Sequence, residues 1–353
     1  MKVTGTLLEA LQHPLAKHIT DQQICYAIEA SVRLCFQSRF SELLRQTSCI
    51  HTVQMIQVIF QQIPRIAAMS TEEEGPALKP IALPFSKVAD GPETPSLAIQ
   101  DTTEEIDILN RPFGFKCLIE LLSFLSRLLD GGKLSTEERV KILAADCLSV
   151  VINSNLLAKE DLFRILSTTV CRNLCSHLDI STSPNVARRL LYPLCTLFIK
   201  YRRLMPAQFE NMLVSLIGAL KAKPQPNSKN LSRLLETKTV FLEMLLEFIE
   251  DPLLMGDLYV HYECDVRYSM VLSELVLCLG ELAHNMDSRN GGNETNSLLS
   301  MQMLNRMVYE LAKYGKDYKM VHQHEPPKSI IDSAETGKVK IAYQEAVSLF
   351  NQK

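Results

Sequence analysis

Apolar residues return at helical spacing along almost the whole of this 353-residue chain, and that regularity alone restricts it to an all-α fold. Ile24, Ala27, Ile28, Val32 and Cys35 fall at i, +3, +4, +8 and +11, which is one face of a helix. A second run joins Ile50, Val53, Ile56, Ile59, Phe60 and Ile63 and stops near Pro64. Later runs occupy about 113–129, 140–152, 159–177, 185–204, 206–221, 230–250, 253–260, 266–284 and 296–314. Thr20 with Gln23, and Ser135 with Glu138, carry capping-box chemistry. Asp251-Pro252 puts proline in a first turn behind a capping residue, whereas Pro193 falls inside a run and should kink it. Glycine, at 13 residues, has about half its usual share of ~7%, so the tight hairpin turns of a β-rich fold are scarce. Helix pairs recur about every forty residues without a repeated sequence, which predicts an α-solenoid of the armadillo or HEAT type.

The array is expected in two parts. Between Ser70 and Asn110 the period is lost: Glu72, Glu73 and Glu74 open the stretch, and prolines stand at 76, 80, 84, 92 and 95. Proline lacks the N–H a helix needs, and little apolar surface remains to bury, so this stretch reads as a flexible linker. The expected organisation is therefore 1–68, a linker over 69–110, a larger helical domain over 111–315, and a tail over 316–353. In that tail the pattern fades, and Lys338 to Phe350 reads as a last helix or a truncated one.

Composition excludes several classes. With 46% hydrophobic and 22% charged residues the chain is an ordinary globular one. Its net charge of −3 lacks the basic excess of a nucleic-acid binder. Ten cysteines lie scattered through apolar helical patterns with no CxxC pair, which suggests reduced thiols and a cytoplasmic address. Cys171, Cys175 and His177 look faintly like a metal site, but no second ligand pair follows and one helical face explains them. The N-terminus, with Glu9, His13 and Lys17, has no signal-peptide pattern. The longest apolar stretch, Met270 to Ala283, is broken by Ser273, Glu274 and Glu281 and is too short to span a bilayer. GxGxxG, GxSxG and HExxH are absent. Asp130-Gly131-Gly132-Lys133-Leu134 superficially resembles a phosphate loop, but Arg127 and Leu134 stand where that loop needs Gly and Ser or Thr. His322 and His324 read as part of a polar tail. No catalytic set, cofactor or metal is expected.

Two features remain. Arg188, Arg189, Lys200, Arg202 and Arg203 lie on one predicted helix, with Arg189 and Lys200 eleven apart and so on one face. They form a candidate contact for an anionic membrane or an acidic partner, against the plainer reading of a solvated face. The second is the segment from Glu250 to Asp265, which reads as a short helix, a tight corner and the start of a long helix. In that reading Asp265 caps the helix at 266–284, Cys264 is a small buried group, and Tyr259 and Tyr262 pack under the corner.

This same segment carries a resemblance. Leu258-Tyr259-Val260-His261-Tyr262-Glu263-Cys264-Asp265 resembles the signature box of the homology-upstream domain in large Arf guanine-nucleotide exchange factors, where the pattern is Leu-Tyr-x-Asn-Tyr-Asp-Cys-Asp. His261 stands for Asn and Glu263 for Asp. Arg111 to Leu125 is similar to the opening of that domain, and Ile24 to Leu44 to later helices of the dimerisation and cyclophilin-binding domain, with the Golgi-specific brefeldin-resistance branch fitting better than the trans-Golgi one. The resemblance implies an N-terminal regulatory fragment without the catalytic exchange domain. Its implied roles are dimerisation, interdomain regulation and recruitment to Golgi membranes through Arf and Rab small GTPases. It also implies that the box supports contact between 112–315 and 1–68. The competing class is a helical-repeat adaptor or tether subunit unrelated to Arf.

Overall fold

The computed structural model describes residues 2–13, 16, 18–70, 112–130, 138–179, 181–222, 231–284 and 291–322. All but the first two residues of the expected linker lie outside these, as do Ser135, Lys133, His324 and the tail beyond 322. Every regular element among the described residues is helical, and the one β-type pairing is an isolated bridge between Thr20 and Pro112.

Two compact units divide the chain at 304/305. In the first, α1 (Lys2–Gln12), α2 (Asp21–Cys35), α3 (Glu42–Phe60) and α4 (Ile63–Ser70) precede α5 (Phe115–Leu129) and α6 (Glu138–Asn153). There follow α7 (Glu160–Ile165), a π-turn (Leu166–Val170) and α8 (Cys171–Cys175), then α9 (Pro184–Tyr201), α10 (Pro206–Lys221) and α11 (Leu231–Ile249). The short α12 (Leu254–Leu258) runs into a π-turn (Tyr259–Glu263) and then α13 (Val271–His284). The last helix, α14 (Gly291–His322), passes through the division. In the second unit, Arg306 pairs with the buried Glu310 at 2.8 Å.

Within the first unit the helices form two layers. One is α3, α6, α9 and α11, each packed on the next; the other is α2, α5, α7 with α8, α10 and α13. Successive pairs such as α2 with α3 and α5 with α6 cross between the layers, which is the predicted solenoid logic. Helices held between neighbours on both sides are apolar over most of their circumference. α5 buries Cys117, Leu118, Leu121, Leu122, Phe124, Leu125, Leu128 and Leu129. Each such Leu or Phe contributes about 1.5–3 kcal/mol on burial.

The N-terminal helices are fastened to α5 and α6. Thr20 and Gln23 form the expected capping box, with Thr20 N–H donating to Gln23 Oε1 at 3.0 Å. Asp21, next to that cap, accepts the Gly114 N–H at 2.9 Å, and Phe113 N–H donates to Ile19 O at 2.9 Å. The buried thiols of Cys25 and Cys117 touch at 3.9 Å, and Arg139 reaches Glu42 at 2.8 Å.

Some boundaries differ from expectation. α3 starts at Glu42 rather than near Ile50, because Ser41 Oγ accepts the Leu44 N–H and caps it. Pro64 does not end a helix but sits in the first turn of α4, where its missing N–H is harmless. α9 runs on through Pro193. No helix among the described residues is long and apolar enough to cross a membrane.

Candidate functional site

The corner from α12 to α13 is built on α10. Tyr262 is buried, and its ring stands 6.1 Å from that of Phe209 and 5.2 Å from that of Tyr268. Phe209 in turn meets Phe198 at 5.1 Å and Phe248 at 6.1 Å, so one aromatic row links α9, α10, α11 and the π-turn. The Tyr262 hydroxyl donates to Pro206 O at 3.0 Å, which gives the buried phenol its hydrogen-bond partner at the start of α10, and burial pushes its proton affinity up. Glu210, one helical turn further on, accepts both the N–H and the hydroxyl of Ser269, at 2.7 and 2.6 Å.

Glu263, not Asp265, caps the following helix. Its two carboxylate oxygens accept the Ser273 N–H at 2.7 Å and the Ser273 hydroxyl at 3.1 Å, in the first turn of α13 where backbone donors are free. The expectation for Asp265 therefore fails, for a local reason. Its carboxylate is taken by Arg267, through the backbone N–H at 3.0 Å and the guanidinium Nη2 at 2.6 Å. That Asx-type turn delays the helix to Val271. Arg267 holds the Asp265 carboxyl down at a pKa of about 2. Cys264 is exposed rather than buried, and Tyr259 is half exposed rather than packed under the corner. His261 is also exposed, with Nε2 4.0 Å from Asp257.

The five cations expected to form a contact face are committed to carboxylates and carbonyls within the fold. Arg188 pairs with Glu243 on α11 at 2.9 Å, and Arg189 with Asp146 on α6 at 3.4 Å. Lys200 donates to the carbonyls of Ile152, Asn153 and Ser154, so it caps the C-terminus of α6 where the helix dipole favours a cation. Arg189 and Lys200 do share a face, as their spacing predicts, but that face is turned to α6. Arg202 is buried between Asp251 at 2.6 Å and Asp257 at 2.8 Å, and Arg203 grips Asp257 through Nη2 at 3.0 Å. Asp257 thus ties the end of α9 to α12, directly before the box.

Sequence reasoning missed Asp251, Asp257, Glu210 and the capping role of Glu263. Glu210 lies fifty-nine residues from Ser269, Asp257 fifty-five from Arg202 and Asp251 forty-nine from Arg202, and Glu263 reaches ten residues on across the corner, so no helical spacing announces these pairs. Nor is there a metal centre: among the described residues no group of three or more His, Cys, Asp or Glu could hold an ion. His177 Nε2–H donates to Leu129 O, 2.9 Å away, and burial lowers the proton affinity of the ring. The arrangement can brace, orient and present a surface.

Residues 114–271 match the Mon2/Sec7/BIG1-like HUS domain family. That stretch is similar to a Sec7-like HUS domain. The match opens at Gly114, the residue before α5, and ends at the first residue of α13, so it contains the whole braced corner. The chain is also 24% identical over 298 residues to the ARF guanine-nucleotide exchange factor GNL2 of Arabidopsis thaliana, covering 79% of this chain and 19% of that protein. It is 28% identical over 198 residues to the Golgi-specific brefeldin A-resistance guanine nucleotide exchange factor 1 homolog of Caenorhabditis elegans, covering 55% of this chain and 10% of the relative. A third relative is the ARF guanine-nucleotide exchange factor GNOM of Arabidopsis thaliana, 20% identical over 326 residues, at 78% and 22% coverage. These likenesses support the resemblance to an N-terminal region of a large Arf guanine-nucleotide exchange factor. It spans about a quarter or less of the length of the curated relatives it matches. Within 114–271, residues 2–70 pack on α5, on α6 and on the short turn Leu156–Ala158 that follows α6, whereas the hydrogen bonds of Tyr262, Glu263 and Asp265 run to α10, to α13 and within the corner.

Proposed function

We propose that this chain is the regulatory scaffold of a large Arf exchange factor and does not itself exchange nucleotide. The observation that carries this reading is the joint between α2–α3 and α5–α6. Asp21 on Gly114, Cys25 on Cys117 and Glu42 on Arg139 splice the N-terminal helices into the HUS domain. A joint of this kind transmits position rather than chemistry. In this reading residues 1–68 are the C-terminal part of a dimerisation and cyclophilin-binding domain, 69–110 are a linker, and 111–315 are the homology-upstream domain. The box at Tyr259, His261, Tyr262, Glu263, Cys264 and Asp265 acts on interdomain contact indirectly, by fixing the corner and with it the stacking of α9–α13. The region supports dimerisation, interdomain regulation and recruitment to the cytoplasmic face of Golgi membranes, where Arf and Rab family GTPases are its partners.

The test is deletion of residues 2–322 from a full-length protein carrying them, followed in cells by fluorescence. Loss of Golgi-membrane association together with loss of self-association is the expected result. Unchanged distribution and unchanged oligomeric state would remove the scaffold role.

A further inference from the structure

Among the described residues α13 is the last helix of its layer, and one of its faces is open. It packs on α10 and on the π-turn Tyr259–Glu263, and its last turn meets α14, where the Ser297 hydroxyl donates to Ala283 O at 2.7 Å. Those contacts take Val271, Leu272, Leu275, Cys278, Leu279 and Ala283. Met270 and Leu277, seven residues apart and so on one face, stay 59% and 65% exposed, and Val276 is exposed as well. In the same layer α5, held between α2 and α7, leaves none of its apolar residues exposed. α13 is therefore built as an interior helix on one side and presents an apolar stripe on the other.

The charges beside the stripe point to what covers it. Glu274 and Glu281 stand four residues after Met270 and Leu277, so they flank the stripe along its length. Both are exposed, and no lysine or arginine among the described residues pairs with either. By contrast Asp146, Glu243, Asp251, Asp257 and Glu263 are all held within the fold. Arg267, the nearest arginine in sequence, is itself taken by Asp265. In this layer each neighbour is a helix laid against the one before, so the open face is shaped for a helix. An apolar stripe edged by unpaired carboxylates complements a helix with apolar residues on one face and Lys or Arg beside them. A second copy laid antiparallel would set the two glutamates against their own counterparts, and an anionic lipid surface would be repelled by them. We propose that the open face of α13, with Met270 and Leu277 as its apolar stripe and Glu274 and Glu281 as its acidic edge, is a docking site for a basic amphipathic helix of another protein. The inference does not depend on the exchange-factor reading above.

The test uses the full chain and one probe, an end-capped synthetic peptide of Leu and Lys with the Leu residues on one helical face. The Met and Leu methyl signals of the chain are followed by NMR, those of Met270 and Leu277 being assigned by their loss in Met270→Gln and Leu277→Gln. The expected result is saturable movement of these two signals, and none with a peptide carrying Glu in place of each Lys. Leu277→Gln should weaken binding roughly tenfold or more, through loss of a buried apolar anchor. Glu274→Gln/Glu281→Gln should weaken it about tenfold and flatten its dependence on salt. All three positions are exposed, so melting curves that overlay wild type separate lost binding from lost fold. Movement confined to other methyl groups, equal binding of the two peptides, or wild-type affinity in either variant would overturn the proposal. So would self-association of the free chain that Leu277→Gln abolishes, because the occupant is then a second copy.

Discussion

At the scale of residues, the corner distributes its load unevenly. Tyr262 has both a ring in the aromatic row and a hydroxyl on Pro206 O. Tyr262→Phe should cost about 1 kcal/mol for the hydrogen bond, and Tyr262→Ala about 3–5 kcal/mol for the lost ring. Urea unfolding of both variants separates the two, and equal costs would mean the ring bears nothing. The two aspartates near the box should behave in opposite ways. Asp257→Ala takes from the buried Arg202 one of its two carboxylates and from Arg203 the carboxylate it grips, and should cost about 1.5–3 kcal/mol for the lost charged hydrogen bonds. Asp265 is half-buried, but its pair is the exposed Arg267 two residues away, so Asp265→Ala should leave the unfolding curve close to wild type. A larger loss for Asp265 than for Asp257 would reverse the account of the corner. His177 sets a pH dependence. Burial lowers its folded pKa below the unfolded value, so the folded state takes up its proton later than the unfolded state does. Its contribution is fully present above about pH 6.5 and is lost as pH falls from there through the folded pKa. The melting temperature should fall less between neutral and mildly acidic pH in His177→Gln than in wild type. An unchanged slope would show that His177 titrates normally.

At the scale of elements, helices were legible because their signals are local. The 3.6-residue period of 24–35 and the Thr20–Gln23 box lie within one segment, and the structure keeps both. Whatever depends on a distant partner was not legible. The start of α13 shifts from 266 to 271 because Arg267 takes the carboxylate expected to cap the helix, while Glu263 reaches Ser273 instead. The basic helix looked like an open face because Asp146, Glu243, Asp251 and Asp257 come to it from other helices. Lys200 makes the point testable. Its three bonds to the last carbonyls of α6 contribute about 0.3–1 kcal/mol through the dipole, more where partly buried. Lys200→Met should speed amide hydrogen exchange at the C-terminal turn of α6 and leave α11 unchanged. Equal exchange at α6 in variant and wild type would reduce Lys200 to a surface charge.

At the scale of the whole molecule, periodicity announced the two-layer stack, but the splice between its parts rests on Asp21, Cys25 and Glu42, none of which stands out in sequence. In the proposed reading the stack is a support, its charged residues Arg188, Arg189, Lys200, Arg202 and Arg203 being held by partners in other helices. The most direct test is release of a fluorescent guanine nucleotide from purified Arf, with this chain alone beside a full-length exchange factor that carries it. The account predicts that the chain alone leaves the rate at its intrinsic value while the full-length protein accelerates it. Acceleration by the chain alone, above a heat-denatured control, would contradict it.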